Sequence, residues 1–209
     1  INELAGLRME HAEVFEATHA LVLEQVRLGR VHGLRIDHPD GLYDPAAYFA
    51  RLAAAGATAL GQPESAEPAV YTVVEKILAD HESLRTAWPV HGTTGYEFIR
   101  LMNGLQVDGG GLASLRQCFA DFSGRAESMA EATYFAKRTL MRNTLASELN
   151  VLANRLARLA EVDPFTRDFT VNALRGALAE VVAAFPVYRT YVDARGATED
   201  DRRDLDWAV

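Results

Sequence analysis

The sequence is poor in cysteine, in basic clusters and in long apolar runs. A single cysteine, Cys118, excludes an internal disulfide framework and is typical of a reducing compartment. Its neighbours Leu115 and Phe119 predict a buried, inert thiol. No apolar run approaches the ~20 residues that a membrane span requires. The net charge of −8 comes without any lysine-rich or arginine-rich run, so we expect neither nucleic-acid nor membrane partners.

Metal-ligand patterns are also missing. The histidines His32, His38, His81 and His91 are scattered, and no Cys-x-x-Cys pair exists. These absences predict no metal site, and nothing in the sequence indicates a cofactor.

The composition is that of an ordinary globular protein. Of the 209 residues, 49% are hydrophobic and 24% are charged, which is enough for one large domain or two small ones. The chain begins at Ile1 without an initiator methionine and ends at Val209 without tail character. We therefore expect a piece of a longer cytoplasmic polypeptide, with the rest of that polypeptide as a partner.

Two apolar runs each lead to a carboxylate. The first covers about residues 31–37 and ends at Asp37, and the second covers about residues 70–78 and contains Glu75. Between them, Asp44-Pro45 is typical of a helix start, and Gly56 suits the end of that helix. Strand, helix and strand in this order predict a βαβ unit with parallel strands. Because a buried carboxylate is costly unless it is paired or used, we expect acid/base chemistry at the carboxyl ends of these strands.

The rest of the chain is predicted to be mainly helical. Strand signals stop after about Trp88-Pro89, and Thr94 with Glu97 has the spacing of a capping box. Further helices are predicted at about 111–122, at about 127–159 with a break near Asn143, and at about 166–184. The fold class is therefore α/β, with an α/β segment over residues 1–90 and a mainly α-helical insertion subdomain over residues 91–209.

The two carboxylates have two open interpretations. Neighbouring strands lie ~4.8 Å apart, which would place the carboxyl groups at roughly the separation of retaining glycosidases. Arg35 lies on the same strand face as Asp37 and could hold that carboxylate ionised. Alternatively, Arg35 and Asp37 form a structural ion pair, and Glu75 pairs with Lys76 or with a distant arginine. Spacing alone leaves both open.

Several segments in order carry a family resemblance. Residues 33–42 (GLRIDHPDGL) resemble the second conserved region of the α-amylase family of glycoside hydrolases, and residues 74–78 (VEKIL) resemble the third. Residues 88–98, 147–150 and 185–191 resemble the trehalose-forming members of that family. The resemblance implies that the strands at about 31–37 and 70–78 are part of a (β/α)8 TIM barrel.

The resemblance also implies roles for individual residues. Asp37 matches the catalytic nucleophile, Glu75 the general acid/base, and Arg35 the arginine that orients the nucleophile. Residues His38, Lys76 and Tyr96 are the candidate substrate-binding residues.

One position departs from the family pattern. Many amylases carry a Lys-His pair that contacts the sugar beyond the cleavage point, whereas Asp40-Gly41 stands there in this chain. The difference suits an enzyme whose acceptor is the released sugar itself.

The implied activity is an intramolecular transglucosylation without a cofactor. It would convert the reducing-end α-1,4 bond of a maltooligosaccharide into an α,α-1,1 bond by a retaining mechanism. Two alternatives are a retaining α-glucan hydrolase or transglycosylase, and a fragment without activity of its own. The last arises because the family's first conserved region should precede Ile1 and the fourth, with the third catalytic aspartate, should follow Val209.

Overall fold

In the computed structural model, which describes residues 6–65 and 67–209, the chain forms two compact units. The first ends at Val107 and contains a small sheet with helices, and the second begins at Asp108 and is helical. The α/β character expected at the start of the chain and the helical character expected later are both confirmed.

The first unit is built on a three-stranded parallel sheet. Its elements are α1 (Ala12–Arg27), β1 (Gly33–Ile36), α2 (Pro45–Ala59), β2 (Tyr71–Val74), β3 (Gly92–Thr93) and α3 (Tyr96–Gly104). The strand order is β1-β2-β3, and the register runs from Gly33 opposite Tyr71 to Ile36 opposite Val74. The predicted parallel pairing is confirmed, although β1 and β2 are shorter than expected.

The strand β3 was not predicted. It pairs with β2 through Gly92 opposite Val73 and Thr93 opposite Val74. The expectation that strand signals stop near residue 89 was wrong, because a strand of two residues has no alternating pattern to detect.

Helix α2 begins where the sequence indicates and continues past its expected end. The Asp44 Oδ1 atom accepts a hydrogen bond from the Ala47 N–H at 2.9 Å, and Pro45 is the first helical residue. Gly56 lies inside the helix rather than at its stop. A Cβ atom at Gly56 would come within 2.9 Å of Val70 Cγ2, so the glycine allows close packing of α2 beside the start of β2.

Aromatic side chains form the core of the first unit. The Phe49 and Trp88 rings lie 5.0 Å apart, and both are buried. Phe15 stacks on His19 of the same helix at 4.0 Å, and a ring nitrogen of His19 lies 2.8 Å from the Tyr48 hydroxyl of α2. Burial raises the pKa of Tyr48 from its usual 10 to about 12.

The second unit is helical. Its helices are α4 (Leu112–Ser123), α5 (Met129–Arg142), α6 (Ala146–Ala160), α7 (Val171–Ala184) and α8 (Glu199–Ala208), and a 3₁₀ turn at Gly109–Gly111 precedes α4. Helices α5, α6 and α7 share a core of Met141, Leu149, Ala179 and Ala183. None of the helices that the structure describes is long and apolar enough to cross a membrane.

Three helix boundaries in the second unit can be compared with the sequence signals. The predicted break near Asn143 is confirmed, and α7 starts at Val171 because the Thr170 hydroxyl caps it. Helix α8 was not predicted, although Thr198 and Asp201 form a capping box that signals its start.

The prediction of a buried Cys118 was wrong. The thiol is exposed on α4, and none of the residues of that helix is buried. Apolar neighbours in sequence do not bury a side chain when no other element covers the helix face.

Gly56 provides a test of the helix–sheet packing. We expect Gly56→Ala to lower the free energy of unfolding by about 1 kcal/mol, because overpacking against Val70 outweighs the gain in helix propensity. Urea unfolding followed by circular dichroism measures the change.

Gly176 is the matched control, because it lies inside α7 and no atom lies within 4 Å of the position that a Cβ atom would take there. Gly176→Ala should raise the free energy of unfolding by about 0.5–1 kcal/mol. Stabilisation by both substitutions would contradict the close approach of α2 and Val70.

The raised pKa of Tyr48 predicts a loss of stability in alkali. The folded state keeps the phenol proton above pH 10, whereas the unfolded chain releases it. The contribution of Tyr48 is therefore complete below pH 10 and is lost as the pH rises towards about 12. Over this range, urea unfolding of Tyr48→Phe should depend less steeply on pH than that of the wild type. Equal slopes would show that burial does not disfavour the phenolate.

Candidate active site

Asp37 and Glu75 occupy equivalent places at one edge of the sheet. Asp37 directly follows β1 and Glu75 directly follows β2, and the preceding residues Ile36 and Val74 are register partners. The Glu75 N–H continues the ladder by donating to the Ile36 carbonyl oxygen at 2.8 Å. The structure therefore brings the two sequence-predicted carboxylates to the carboxyl ends of adjacent parallel strands.

Arg35 contacts Asp37 as the strand geometry indicates. The Arg35 Nη2 atom donates to Asp37 Oδ1 at 2.9 Å, and the side chains are 59% and 75% exposed. The expectation that both carboxylates are buried was wrong, because Asp37 is exposed and Glu75 is half-buried. An exposed ion pair contributes about 0–1 kcal/mol to stability. The effect of Arg35 is therefore mainly on the orientation of the Asp37 carboxylate.

Glu75 is held by a backbone amide. Its Oε2 atom accepts a hydrogen bond from the His38 N–H at 3.1 Å. His38 has a left-handed backbone with φ 45° and begins the 3₁₀ turn Pro39–Gly41. A Cβ atom at Gly41 would lie 2.7 Å from His38 Cδ2, so this turn leaves room only for glycine unless the imidazole moves.

Lys76 points into the protein rather than towards the open sheet edge. Its side chain is 1% exposed, and the ammonium lies 3.2 Å from Asp40 Oδ2 and 2.8 Å from Glu82 Oε1. Glu75 does not pair with Lys76, as one interpretation of the sequence held. It accepts a hydrogen bond from the His38 amide instead. The resemblance had indicated Lys76 as a substrate-binding residue. In the structure its ammonium lies between the Asp40 and Glu82 carboxylates.

The segment that follows β3 also lies at the edge of the sheet where Asp37 and Glu75 are found. The Thr94 N–H donates to the Val74 carbonyl oxygen at 2.9 Å, and Tyr96 follows as the exposed first residue of α3. The predicted capping box of Thr94 and Glu97 was wrong. Gly95, with φ 96°, is the N-cap residue, and the Glu97 carboxylate binds the hydroxyl of Thr93 instead.

The sequence indicated Thr94 and Glu97 only as a capping box and did not indicate Thr93. Thr94 Oγ1 and Glu97 Oε2 are buried and have no hydrogen-bond partner among the residues described. No alternating pattern in this part of the sequence indicates that Thr93 and Thr94 lie at the sheet edge. Within residues 6–65 and 67–209, no group of three or more His, Cys, Asp or Glu side chains could hold a metal ion.

The arrangement suits a nucleophilic substitution at a carbon atom, in which one carboxyl group attacks and the other transfers protons. An exposed carboxylate that is oriented by a guanidinium is accessible to a substrate, which a nucleophile requires. A second carboxyl group on the next strand could transfer a proton to and from the leaving and entering oxygen atoms.

Comparisons with known proteins give a consistent result. No protein-family model matches the chain. Proteins of two Mycobacterium tuberculosis strains, CDC 1551 and H37Rv, carry the name maltooligosyl trehalose synthase and are 38% identical to it over 163 residues, which is 78% of this chain.

Solved structures extend the similarity to the whole chain. The maltooligosyltrehalose synthase of Arthrobacter ramosus matches with a TM-score of 0.76 and 35% identity over 100% of the chain. A glycosyltrehalose synthase matches with a TM-score of 0.74 and 30% identity over 99% of the chain.

The chain spans only a part of these relatives. It corresponds to 20% of the length of the Mycobacterium tuberculosis proteins and to 24% of the solved chains. The chain is therefore a homologue of one segment of maltooligosyltrehalose synthases.

Proposed function

We propose that the chain supplies the nucleophile and the general acid/base of an enzyme that forms maltooligosyltrehalose. The substrate is a maltooligosaccharide or another α-1,4-glucan, and the reaction is an intramolecular transglucosylation in trehalose biosynthesis. The enzyme acts in the cytoplasm and uses no cofactor. The proposal is supported by the similarity to maltooligosyltrehalose synthases at 35% identity along the chain.

One observation carries the assignment of the reacting groups. Asp37 and Glu75 follow register-matched residues of adjacent parallel strands. Such strands lie about 4.8 Å apart, and retaining glycosidases hold their two carboxyl groups about 5–5.5 Å apart. The pair is therefore suited to a covalent glycosyl intermediate.

The reaction proceeds in two displacements. The Asp37 carboxylate attacks the anomeric carbon next to the reducing-end glucose, while Glu75 gives its proton to the departing O4 oxygen. The freed glucose turns over within the site. Glu75 then removes the proton from its anomeric hydroxyl, and that oxygen displaces Asp37 to form the α,α-1,1 bond.

Other residues of the edge bind and orient. Arg35 keeps Asp37 directed at the anomeric carbon through the 2.9 Å contact. His38, near the start of the connection that follows β1, and Tyr96, at the end of the connection that follows β3, are exposed. Both can contact sugar hydroxyls and faces there.

We further propose that the sheet is part of a (β/α)8 barrel. Residues 1–90 together with β3 at Gly92–Thr93 are its barrel segment, and the residues that follow are mainly a helical subdomain. Catalytic residues of such barrels lie at the carboxyl ends of the strands, as Asp37 and Glu75 do. The third catalytic carboxylate belongs to another part of the polypeptide.

A retaining hydrolase or transglycosylase is the alternative enzyme. It would use the same carboxylates but would transfer the glycosyl group to water or to an external sugar. Incubation of the full-length protein with maltopentaose distinguishes the two. A non-reducing product of unchanged length indicates the mutase, whereas glucose and shorter chains indicate the hydrolase.

Substitution of Asp37 tests its role as the nucleophile. We expect Asp37→Asn in the full-length protein to lower kcat for maltopentaose by at least about 1,000-fold, while substrate binding is largely kept. Chromatography of the products gives the rate, and calorimetry gives the affinity.

Asp80→Asn is the matched control. Asp80 is also an exposed aspartate paired with an exposed arginine, Arg100, in the first unit. Its substitution should leave kcat within about threefold of the wild type, since exposed pairs contribute little. A similar loss in both variants would remove Asp37 from the nucleophile role.

The open surface of the chain predicts that residues 1–209 alone are inactive. The described helices α3 and α4 have no buried residue, and their exposed side chains include Phe98, Ile99, Leu101, Leu115 and Phe119. Exposed apolar faces of this kind favour association. We expect no measurable product from maltopentaose and an increase in light scattering with concentration. Isomerisation by the purified 22.9 kDa chain would contradict this.

A further inference from the structure

The connection between β2 and β3 is not held by a helix. Residues 75–91 lie between these parallel strands and form only turns and irregular backbone. Parallel strands are usually joined through an α-helix, whose own hydrogen bonds order the crossover. In this connection side-chain contacts must hold the backbone in place. Near the end that leads into β3, Trp88 does this by packing on Phe49.

At the end that follows β2, the ordering group is Lys76. Its ammonium contacts Glu82 within the same connection at 2.8 Å and Asp40 in the connection between β1 and α2 at 3.2 Å. Because a buried charge that loses its partners is strongly destabilising, both connections are tied to one nitrogen atom. Lys76 thus joins the loop after Asp37 to the loop after Glu75.

Asp40 transmits this restraint to a tight turn. It is the central residue of the turn Pro39–Gly41, which is closed by the Gly41 N–H to the His38 carbonyl oxygen at 3.0 Å. His38 at the start of the turn has φ 45°, a conformation that is costly outside glycine and persists only where the surroundings impose it. In this conformation its N–H reaches Glu75 Oε2 at 3.1 Å.

We infer that Lys76 is a positioning residue for Glu75. It acts through Asp40 and the His38 turn, which present the amide that holds the Glu75 carboxyl group beside the sheet edge. The inference rests on the proposed function in that Glu75 is the group that transfers protons. It gives Lys76 no contact with the substrate.

The first test measures the turn without using activity. In the full-length protein, Lys76→Met should increase amide hydrogen exchange of a peptide covering residues 37–44 at least about tenfold. Amides of His38, Gly41 and Leu42 in this peptide are hydrogen-bonded. Lys137→Met is the control, because it removes an ammonium that donates a hydrogen bond in the second unit, to the Phe185 carbonyl oxygen. It should leave exchange of the peptide unchanged.

The second test separates positioning of the acid from general damage. Lys76→Met should lower kcat for maltopentaose by about 100-fold, because general acid catalysis contributes about 10²–10⁴-fold. KM should stay within about threefold. With maltotetraosyl α-fluoride, whose fluoride leaves without a proton from Glu75, first-turnover fluoride release should fall less than about tenfold.

The outcomes are distinct. Unchanged exchange in Lys76→Met, or an equal loss with both substrates, overturns the inference. Faster exchange in a protein whose wild type acts on neither substrate supports the turn restraint and refutes the proposed function. If Lys76→Met does not fold, Asp40→Asn replaces it. This variant keeps an acceptor oxygen but loses the charge, so it should shift exchange and kcat in the same directions by smaller factors.

Discussion

The burial of one ammonium group constrains most of the candidate site. Lys76 is nearly inaccessible and is balanced by Asp40 and Glu82. A charge in that position is tolerated only with its partners in contact, so the loops that carry those partners cannot move independently. Each loop also carries one of the two candidate catalytic carboxylates, Asp37 or Glu75. The geometry of the sheet edge therefore depends on an ion-pair cluster beneath it.

The other charged pair at this edge is exposed rather than buried. Asp37 and Arg35 are open to solvent, and their pair is too exposed to contribute much to stability. A glycosyl intermediate on Asp37 would be hydrolysed unless water were excluded. A mutase therefore needs further polypeptide over this edge, and the relatives are about four times as long as this chain.

Homology and geometry support each other but answer different questions. The match to solved synthases covers the entire chain, yet it concerns about a quarter of each of those enzymes. It identifies the segment, whereas the register of β1 and β2 indicates how two of its acidic residues could act together.

The sequence alone determined the elements with strong local signals. Asp44-Pro45 marked the start of α2, Asn143 marked the break between α5 and α6, and two apolar runs that lead to carboxylates indicated parallel strands with Asp37 and Glu75 at one edge. Caps, periodicity and strand composition act within a few residues, so they can be read from the chain.

Only the tertiary structure decided which charges are enclosed and which are open. It buried Lys76, exposed Asp37 and Cys118, and added β3, whose two residues have no pattern of their own. It also paired Glu75 with the His38 amide, 37 positions away in the chain. Burial and long-range pairing depend on which elements pack together, and local sequence patterns do not carry that information.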